Sequence, residues 1–328
     1  MDWSFLTKRI VLTHHSSVAQ FAMPTVVFEA EPEFVLGARL LSPSRQTRRL
    51  GRVGVRRLDP GALNPHAGKA NIANLEAFRR AINEVADIIG NGSGRFGLVL
   101  PDGAARVSIL NFETLPDDPA ETETLVRWKM REKLPFAPEE ARISIQILAR
   151  EPGHVEVLAV AARGAVLSEY ESAIEAANGG MVLLLPATVT LLPLLPEKEP
   201  RGQLLLHVCS RWMTSVVVVG SRPCYWRTRD LDSDTPEEVA REVAGEAARI
   251  LASTRDRLHA DLGRAWLCAR PAASTEMAAA IAAAVSHEVE ILTPRPELGG
   301  DLSAEERTLF AQFGATVAGI ISNSGKTE

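Results

Sequence analysis

The sequence predicts an α/β protein in which one structural pattern occurs twice. In each half, three short strands separated by turn-forming residues precede segments that alternate between helix and strand periodicity. A charged stretch rich in helix breakers, at 197–202, separates the halves, and the first half carries an additional strand-rich segment. We therefore expect an arm over residues 1–24, a first lobe over 25–198 with an insert subdomain at about 95–180, and a second lobe over 199–328.

The first half begins with three predicted strands and one amphipathic helix. The strands and the turns between them cover residues 25–58. Apolar residues then repeat at helical spacing over 75–89, with Asn74 as the predicted N-cap and Gly90 as the stop signal. One face of this helix is therefore expected to pack against the preceding sheet.

The insert is predicted to contain strands on both sides of a helix that begins at Asp118-Pro119, where a capping side chain precedes a proline. A glycine pair, Gly179-Gly180, is expected to end the last helix of the insert. The other predicted elements of this region are strands at 96–100 and 105–111 joined by Pro101-Asp-Gly103, a hairpin at 143–161, a helix at 164–177 and an apolar strand at 181–185.

The second half repeats this pattern without the insert. A helix that begins with a capping box at Thr235-Pro-Glu-Glu238 follows its three strands. The predicted elements are strands at 203–208, 214–219 and 224–229, a helix from 235 to about 258, a strand at 264–269, a helix at 274–286, a strand at 288–292 and a final helix at 304–322.

Composition excludes several classes of protein. The 328 residues are 46% hydrophobic and 23% charged, which is typical of a globular domain and not of a disordered chain. A net charge of -5 gives no global electrostatic reason to expect nucleic acid as a partner. The most apolar stretch, 181–195, is interrupted by prolines and is shorter than the ~20 residues of a spanning helix. With three scattered cysteines and no CxxC, we expect a reduced cytoplasmic protein without a metal site.

Several segments of the first half, in their order and spacing, resemble one family. They are Val99-Leu-Pro-Asp102, Pro116-Asp-Asp118, the helix end Trp128–Phe136, Val157–Arg163 and the strand with its Pro-Gly loop at Arg52–Gly61. Together they resemble PilM, the actin-like assembly protein of type IV pili, and the resemblance extends over about 26–322. It implies the actin-like, ribonuclease H-like fold, with two duplicated lobes and a small α+β insert in the first.

The first phosphate-binding hairpin of actin-like proteins is altered in this sequence. The resemblance places Glu29 where the family fold uses a metal-positioning Asp, and Glu31 where it uses a glycine. A glycine is needed there because the backbone must approach the phosphates closely. Carboxylates in this cleft would repel a triphosphate by about a kcal/mol or more each.

The second hairpin and the adenosine strand are altered too. His207 replaces the second Asp, Cys209 a glycine, and Arg211 a small polar residue. Ala269 and Arg270 stand in the strand end that is normally glycine-rich. We therefore predict a degenerate site that holds no cofactor and a protein that is not an enzyme.

In PilM-like proteins a groove between the first subdomain and the insert binds the cytoplasmic N-terminal segment of a bitopic inner-membrane protein, PilN. The resemblance implies the same partner here and a cytoplasmic location at the inner membrane through that partner. Other platform subunits and a second copy of the chain stay open as partners. Trp128 lies off the apolar stripe of its helix, so we expect it to be partly exposed. The predicted groove residues are Leu98, Leu100, Val107, Ile109, Trp128 and Phe136.

Two other functional classes stay open from the sequence. One is an actin-like ATPase or small-molecule kinase with atypical phosphate loops, which would bind ATP and magnesium. The other is a filament-forming actin-like protein. In addition, Glu29, Glu31 and Glu33 are either a cation or acid–base cluster or, as we expect, an exposed hairpin.

One basic concentration covers the second and third predicted strands and the segment between them. It fits an acidic partner or lipid headgroups, or it is a solvated hairpin face. Its members are Arg39, Arg45, Arg48, Arg49, Arg52, Arg56 and Arg57.

Overall fold

The computed structural model describes residues 24–41, 49–90, 94–175, 179–197, 199, 201–233, 235–258, 261–270 and 275–322. All of the expected arm except residue 24 lies outside these ranges. The strands are β1 (Val26–Glu31), β2 (Phe34–Leu41), β3 (Arg49–Arg57), β4 (Gly94–Leu100), β5 (Arg106–Phe112), β6 (Ala141–Glu151), β7 (His154–Arg163), β8 (Gly179–Pro186), β9 (Gly202–Val208), β10 (Trp212–Val219), β11 (Arg222–Asp230), β12 (Leu262–Ala269) and β13 (Val289–Ile291). The helices are α1 (Leu75–Ile88), α2 (Pro119–Met130), α3 (Gly164–Glu175), α4 (Ala187–Leu191), α5 (Pro236–Leu258), α6 (Thr275–Val285), α7 (Ala304–Phe313) and α8 (Ala315–Ser322).

Two five-stranded sheets repeat the same strand order. The first sheet runs β3-β2-β1-β4-β8 and the second runs β11-β10-β9-β12-β13. In each sheet the first three strands pair antiparallel and the last three pair parallel. The α/β duplication predicted from the sequence is therefore confirmed.

The chain divides into two compact units, but not at the expected boundary. The first unit contains the described residues up to 193 together with 294–322, and the second unit contains 194–293. The expected second lobe extended to 328, whereas α7 and α8 pack within the first unit. Their apolar side chains explain this, because the Phe313 ring meets Phe34 edge-on at 4.9 Å between ring centroids. The predicted single helix over 304–322 also breaks at Gly314 into α7 and α8.

The insert is smaller than predicted. Its three-stranded sheet runs β5-β7-β6, whereas β4 and β8 belong to the first sheet. The insert therefore extends from about 102 to 163, and Pro101-Asp-Gly103 connects two different sheets. The helix α2 covers one face of the insert sheet, where Val126 and Met130 pack into a cluster with strand residues such as Val157. Gly179-Gly180 begins β8 and is not the predicted helix cap.

Local signals explain why α1 forms where it does. The Asn74 side chain accepts a hydrogen bond from the Ala77 N–H at 3.0 Å, as predicted for an N-cap. After the helix, Gly90 adopts φ +81°, a conformation that favours glycine. Gly37 in β2 allows close packing, since a Cβ there would lie 2.3 Å from a methyl carbon of Val85.

Four of the five described arginines of the predicted basic concentration are bound to other groups of the first unit. Arg39 donates to the Ile89 carbonyl at 2.7 Å. Three more pair with acidic side chains, namely Arg49 with Asp301, Arg52 with Glu306 and Arg56 with Glu84. Arg45 and Arg48 lie outside the described residues.

In the second unit, α5 and α6 cover one face of the second sheet. The Thr235 hydroxyl accepts from the Glu238 N–H at 3.4 Å and bonds the Glu238 carboxylate at 2.9 Å, which fixes the start of α5. Across the described ranges, no helix is both long enough and apolar enough to cross a membrane.

Candidate functional site

The first candidate site lies at the carboxyl edge of the parallel part of the first sheet. There β1 ends at Glu31, β4 at Leu100 and β8 at Pro186. In open α/β sheets, ligands bind at this edge. The sequence-predicted positions Glu29 and Glu31 lie on β1 at this place.

The carboxylates of Glu29 and Glu31 are fully buried. The expectation of an exposed hairpin is therefore wrong for these two residues, because β1 is covered on both faces. The Thr316 hydroxyl, in the first turn of α8, donates a hydrogen bond to Glu29 Oε2. A helix N-terminus also favours a carboxylate through its dipole. Glu29 is thus used to hold a helix of the same unit.

The turn between β1 and β2 is short and contains no glycine. Glu31 pairs with Phe34, so that Pro32 and Glu33 alone form the turn. Proline has no backbone N–H that could bind a phosphate oxygen. This turn therefore lacks both the flexibility and the full set of donors that a phosphate-binding hairpin requires.

A further buried carboxylate, Asp102, lies directly after β4. It accepts hydrogen bonds from the Thr188 backbone N–H at 3.0 Å and from the Thr188 hydroxyl. The sequence indicated Asp102 only as a turn residue, and it did not indicate Thr188 or Thr316 as part of a site. A polar residue shortly after a buried parallel strand was the available signal for Asp102 and Thr188.

Tyr170 joins this edge to the loop that precedes α1. Its hydroxyl donates to Asn71 Oδ1 at 3.0 Å, and the Glu169 carboxylate accepts from the Asn71 and Ile72 N–H groups at 2.8 and 2.9 Å. Complete burial raises the pKa of Tyr170 well above its usual value, and the negative charges of Glu31 and Glu169 add to this. Tyr170 is therefore a neutral hydrogen-bond donor that fixes the loop.

The second candidate edge, in the second sheet, brings four of the predicted positions together. His207 Nε2 and Cys209 Sγ are 3.7 Å apart, and His207 is fully buried. Ala269 pairs with Val208, whose carbonyl accepts the Arg270 N–H at 2.8 Å. Within the described ranges, no group of three His, Cys, Asp or Glu residues is arranged to hold a metal ion.

The hairpin between β9 and β10 also has a short turn. The Cys209 N–H donates to the Trp212 carbonyl at 2.8 Å across Ser210 and Arg211. Arg211 is exposed at this turn, and Trp212 is buried at the start of β10. The turn is therefore formed by Ser210 and the large, exposed Arg211.

The predicted groove residues fall into two groups. Trp128 is 57% exposed, as predicted, and the Arg131 guanidinium lies 4.5 Å from its ring centroid. Val107, Ile109 and Phe136 are half-buried. The prediction is wrong for Leu98 and Leu100, because both are buried inside the first sheet and neither side chain can reach a partner.

Val107 and Ile109 lie on the face of the insert sheet opposite α2. Val107 pairs with Val160, which pairs with Ser144, and Ile109 pairs with Leu158, which pairs with Gln146. Four residues of this face are buried, namely Ser144, Gln146, Leu158 and Val160. Its two apolar residues on the edge strand β5 are the more exposed ones.

The loop before α1 also contacts the insert. A Cβ at Gly68 would lie 2.9 Å from the Pro135 carbonyl oxygen, and the Gly68 carbonyl accepts from Arg163 Nη1 at 2.9 Å. Pro65 lies against Gly103 in the same way. The segment next to Phe136 is therefore held against the first subdomain.

Comparison with known proteins supports the architecture. In sequence comparisons, no family model and no curated protein matches the chain. Its topology is that of the actin-like ATPase fold. A Bacteroides thetaiotaomicron VPI-5482 protein of that fold and of unknown function is similar at a TM-score of 0.52 and 7% identity, over 83% of this chain and 91% of that one.

A second solved structure, of the PilM-PilN type IV pilus biogenesis complex, is more similar. The TM-score is 0.75 and the identity 18%, and the match covers 92% of this chain and 99% of that one. The PilM-like, actin-like fold expected from the sequence is therefore confirmed.

Proposed function

We propose that this chain is a non-catalytic, cytoplasmic scaffold of a type IV pilus or type II secretion-like platform at the inner membrane. It binds the cytoplasmic N-terminal segment of a PilN-like bitopic membrane protein. The burial of Glu29 and Glu31 beside a glycine-free turn is the observation that supports a non-catalytic role. The PilM-like fold, found in a complex with PilN, supports the partner.

The buried carboxylates argue against nucleotide binding in three ways. A carboxylate accepts hydrogen bonds and repels phosphate where a phosphate-binding hairpin needs a close backbone donor. Pro32 removes one backbone donor. The Thr316 hydroxyl binds Glu29, so a metal ion would have to displace it.

The competing function is an actin-like ATPase or small-molecule kinase, and a thermal-shift measurement separates the two. A ligand present at 100 times its dissociation constant stabilises a protein by about 2.7 kcal/mol. We expect no rise in melting temperature with ATP and magnesium, relative to magnesium alone. A saturable rise of several degrees would contradict the non-catalytic proposal, and nucleotide-dependent pelleting would indicate a filament.

The half-buried Val107 and Ile109 and the exposed Trp128 form the surfaces that we assign to the partner. Tryptophan is among the residue types that are enriched at binding hot spots. We expect a double variant, Val107→Asp with Ile109→Asp, to weaken binding of the partner's cytoplasmic peptide at least tenfold. Trp128→Ala is expected to weaken it less.

Leu75→Asp is the matched control, because Leu75 is an exposed apolar residue on α1, outside the assigned surfaces. Fluorescence anisotropy with a synthetic peptide of the cytoplasmic N-terminal segment of PilN measures the dissociation constants. Undiminished binding by the double variant and by Trp128→Ala would rule out these surfaces.

A further inference from the structure

We infer that two copies of this chain form a symmetric dimer in which their β11 strands pair antiparallel, centred on Trp226. The dimer is independent of the proposed partner, whose assigned surfaces lie in the first unit. β11 is the outermost strand of the second sheet, and within the described ranges it pairs only with β10. The opposite edge of β11 is therefore the place where a further strand can be added.

The hydrogen bonds of the hairpin show which backbone groups of β11 point away from β10. The Leu231 N–H donates to the Arg211 carbonyl, on the β10 side, at 2.9 Å. Because alternate residues of a strand bond to opposite sides, the N–H and C=O groups of Trp226, Thr228 and Asp230 point outward. Among the described residues, the neighbouring arginine side chain donates to the Asp230 carbonyl at 3.2 Å, and no hydrogen bond uses the backbone groups of Trp226 and Thr228 that point outward.

The side chains of this edge are accessible to another chain. Arg227 and Asp230 are exposed, and Trp226 and Thr228 are half-buried. The Arg227 guanidinium bonds the Glu246 carboxylate of α5 at 3.2 Å, which keeps this side chain on the α5 face of the sheet. The Trp226 side chain lies on the other face, since successive residues of a strand alternate.

The order of side chains along β11 fits a second copy of the same strand. When the pairing is centred on Trp226, the two indoles lie opposite each other and Arg227 of each copy lies opposite Tyr225 of the other. Aromatic cross-strand pairs and a guanidinium beside an aromatic ring are both favourable. Registers displaced toward the end of the strand place Arg227 opposite another Arg227 or opposite Arg229, and like charges in such pairs are destabilising.

A displacement in the other direction is also unfavourable. It moves the paired segment onto the β-bulge near the start of β11, where the regular ladder is interrupted. The register centred on Trp226 thus avoids both the bulge and the opposed arginines. In this register the second sheets of the two copies continue into each other.

The first experiment compares two substitutions of Thr228 in the full chain, without any peptide. Thr228→Pro removes an N–H that points outward and leaves the hydrogen bonds to β10 in place, because proline is tolerated where its nitrogen faces away from the neighbouring strand. Thr228→Val is the matched control. Both variants lose the hydroxyl contact with Thr214 at 2.9 Å, but the valine variant keeps the backbone donor.

Sedimentation velocity over a concentration series measures the dissociation constant of the dimer. We expect the wild-type chain and Thr228→Val to dimerise, and Thr228→Pro to raise the dissociation constant at least tenfold, since one donor is lost from each copy. A wild-type chain that stays monomeric up to about 0.1 mM would overturn the inference, because a micromolar dimer is formed at that concentration. A proline variant that dimerises as well as the valine variant would do the same.

Cross-linking tests the register and also decides the matter if Thr228→Pro does not fold. In a Cys224→Ser background the other two cysteines are buried. Residues opposite each other in a hydrogen-bonded antiparallel pair have Cα atoms about 5.5 Å apart, which suits a disulfide. With a mild oxidant, Trp226→Cys should give a covalent dimer on a non-reducing gel, and Arg227→Cys should give far less.

Each outcome of the cross-linking decides the inference. If neither variant is linked, or if Arg227→Cys is linked and Trp226→Cys is not, the dimer centred on Trp226 does not exist. The proposed function is judged separately, by the binding of the PilN peptide to Thr228→Pro. If this variant is monomeric and binds the peptide as the wild type does, both proposals stand. If the wild-type chain dimerises through β11 but binds no peptide, only the proposed function fails.

Discussion

The two five-stranded sheets share one topology but differ completely at their carboxyl edges. The first sheet has buried carboxylates there, on Glu29, Glu31 and Asp102, whereas the second has His207 and Cys209. The order of the strands depends on the apolar core, and this order is the same in both sheets. The edge residues depend on what binds there. The comparison therefore shows that two sheets can have the same strand order while their carboxyl edges carry different side chains.

The outer strands of the two sheets are secured in similar ways. In the first sheet, Arg52 of β3 bonds Glu306 of α7 at 2.8 Å. In the second, Arg229 of β11 bonds Glu242 of α5, and Arg227 bonds the buried Glu246 at 3.2 Å. In the first sheet, the Val53 N–H also donates to Glu306 Oε1 at 3.3 Å, so one open donor of the edge strand is occupied.

Substitutions of two helical glycines, one in each unit, are expected to differ most in their effect on the free energy of unfolding. A Cβ at Gly319 of α8 would lie 1.6 Å from the Thr190 carbonyl oxygen, whereas one at Gly245 of α5 would have nothing within 4 Å. We expect Gly319→Ala to destabilise the protein by about 3 kcal/mol or more, because backbone must move. Gly245→Ala should stabilise it by about 0.5–1 kcal/mol.

Urea denaturation measures both free energies of unfolding. A Gly319→Ala variant as stable as the wild type would show that α4 and α8 do not meet as closely as described.

Substitutions of two buried threonines, one in each unit, should give the next largest difference in the free energy of unfolding. Thr316 donates to the carboxylate of Glu29, whereas the Thr214 hydroxyl of the second sheet bonds the Thr228 hydroxyl at 2.9 Å. We expect Thr316→Val to cost about 2 kcal/mol, as for hydrogen bonds to charged groups, and Thr214→Val to cost about 1 kcal/mol. Equal losses in denaturation would contradict a larger contribution of the hydrogen bond between Thr316 and Glu29.

The smallest effect concerns the edge of the first sheet and depends on pH. Burial raises the pKa of Glu306, but hydrogen bonds from Ser303, Arg52 and a β3 backbone N–H outweigh it, so the net pKa lies below the usual 4.5. A lowered pKa in the folded state gives stability that is present above pH 4.5 and is lost as the pH falls through the lowered pKa. The wild-type protein should therefore have a larger free energy of unfolding than the Glu306→Gln variant at pH 7. The two free energies should become equal at acidic pH.

The control for this measurement is Glu84→Gln. The Arg56–Glu84 pair is half-exposed on both sides, so its loss should change the stability little at any pH. A constant difference between wild type and Glu306→Gln across the acid range would contradict the assigned hydrogen bonds.

Much of the fold could be predicted because local signals were strong. Asn74 and Asp118 cap the helices that they were predicted to cap, and alternating residues marked the hairpin of the insert. The return of α7 and α8 to the first unit had no local signal, because it depends on contacts such as that of Phe34 with Phe313, far apart in sequence.

The candidate sites were less predictable for the same reason. The altered positions Glu29 and His207 were found by their place in the chain, but their burial depends on the layers around them. Leu98 was expected to line a groove because sequence alone does not show that β4 lies between β1 and β8. Because Gln146 alternates with isoleucines, the sequence predicted that it faces solvent. In the structure, however, that side of β6 is covered and Gln146 is buried.

The return of the chain to the first unit has a consequence for synthesis. The second unit is one continuous segment, 194–293, and every strand and helix of its core is available once that segment has left the ribosome. The first unit cannot complete its core until residues 294–322, which include Thr316 and Gly319, have been synthesised. The later segment of the chain can thus finish folding before the earlier one, and a truncated product would keep the second unit while losing the first.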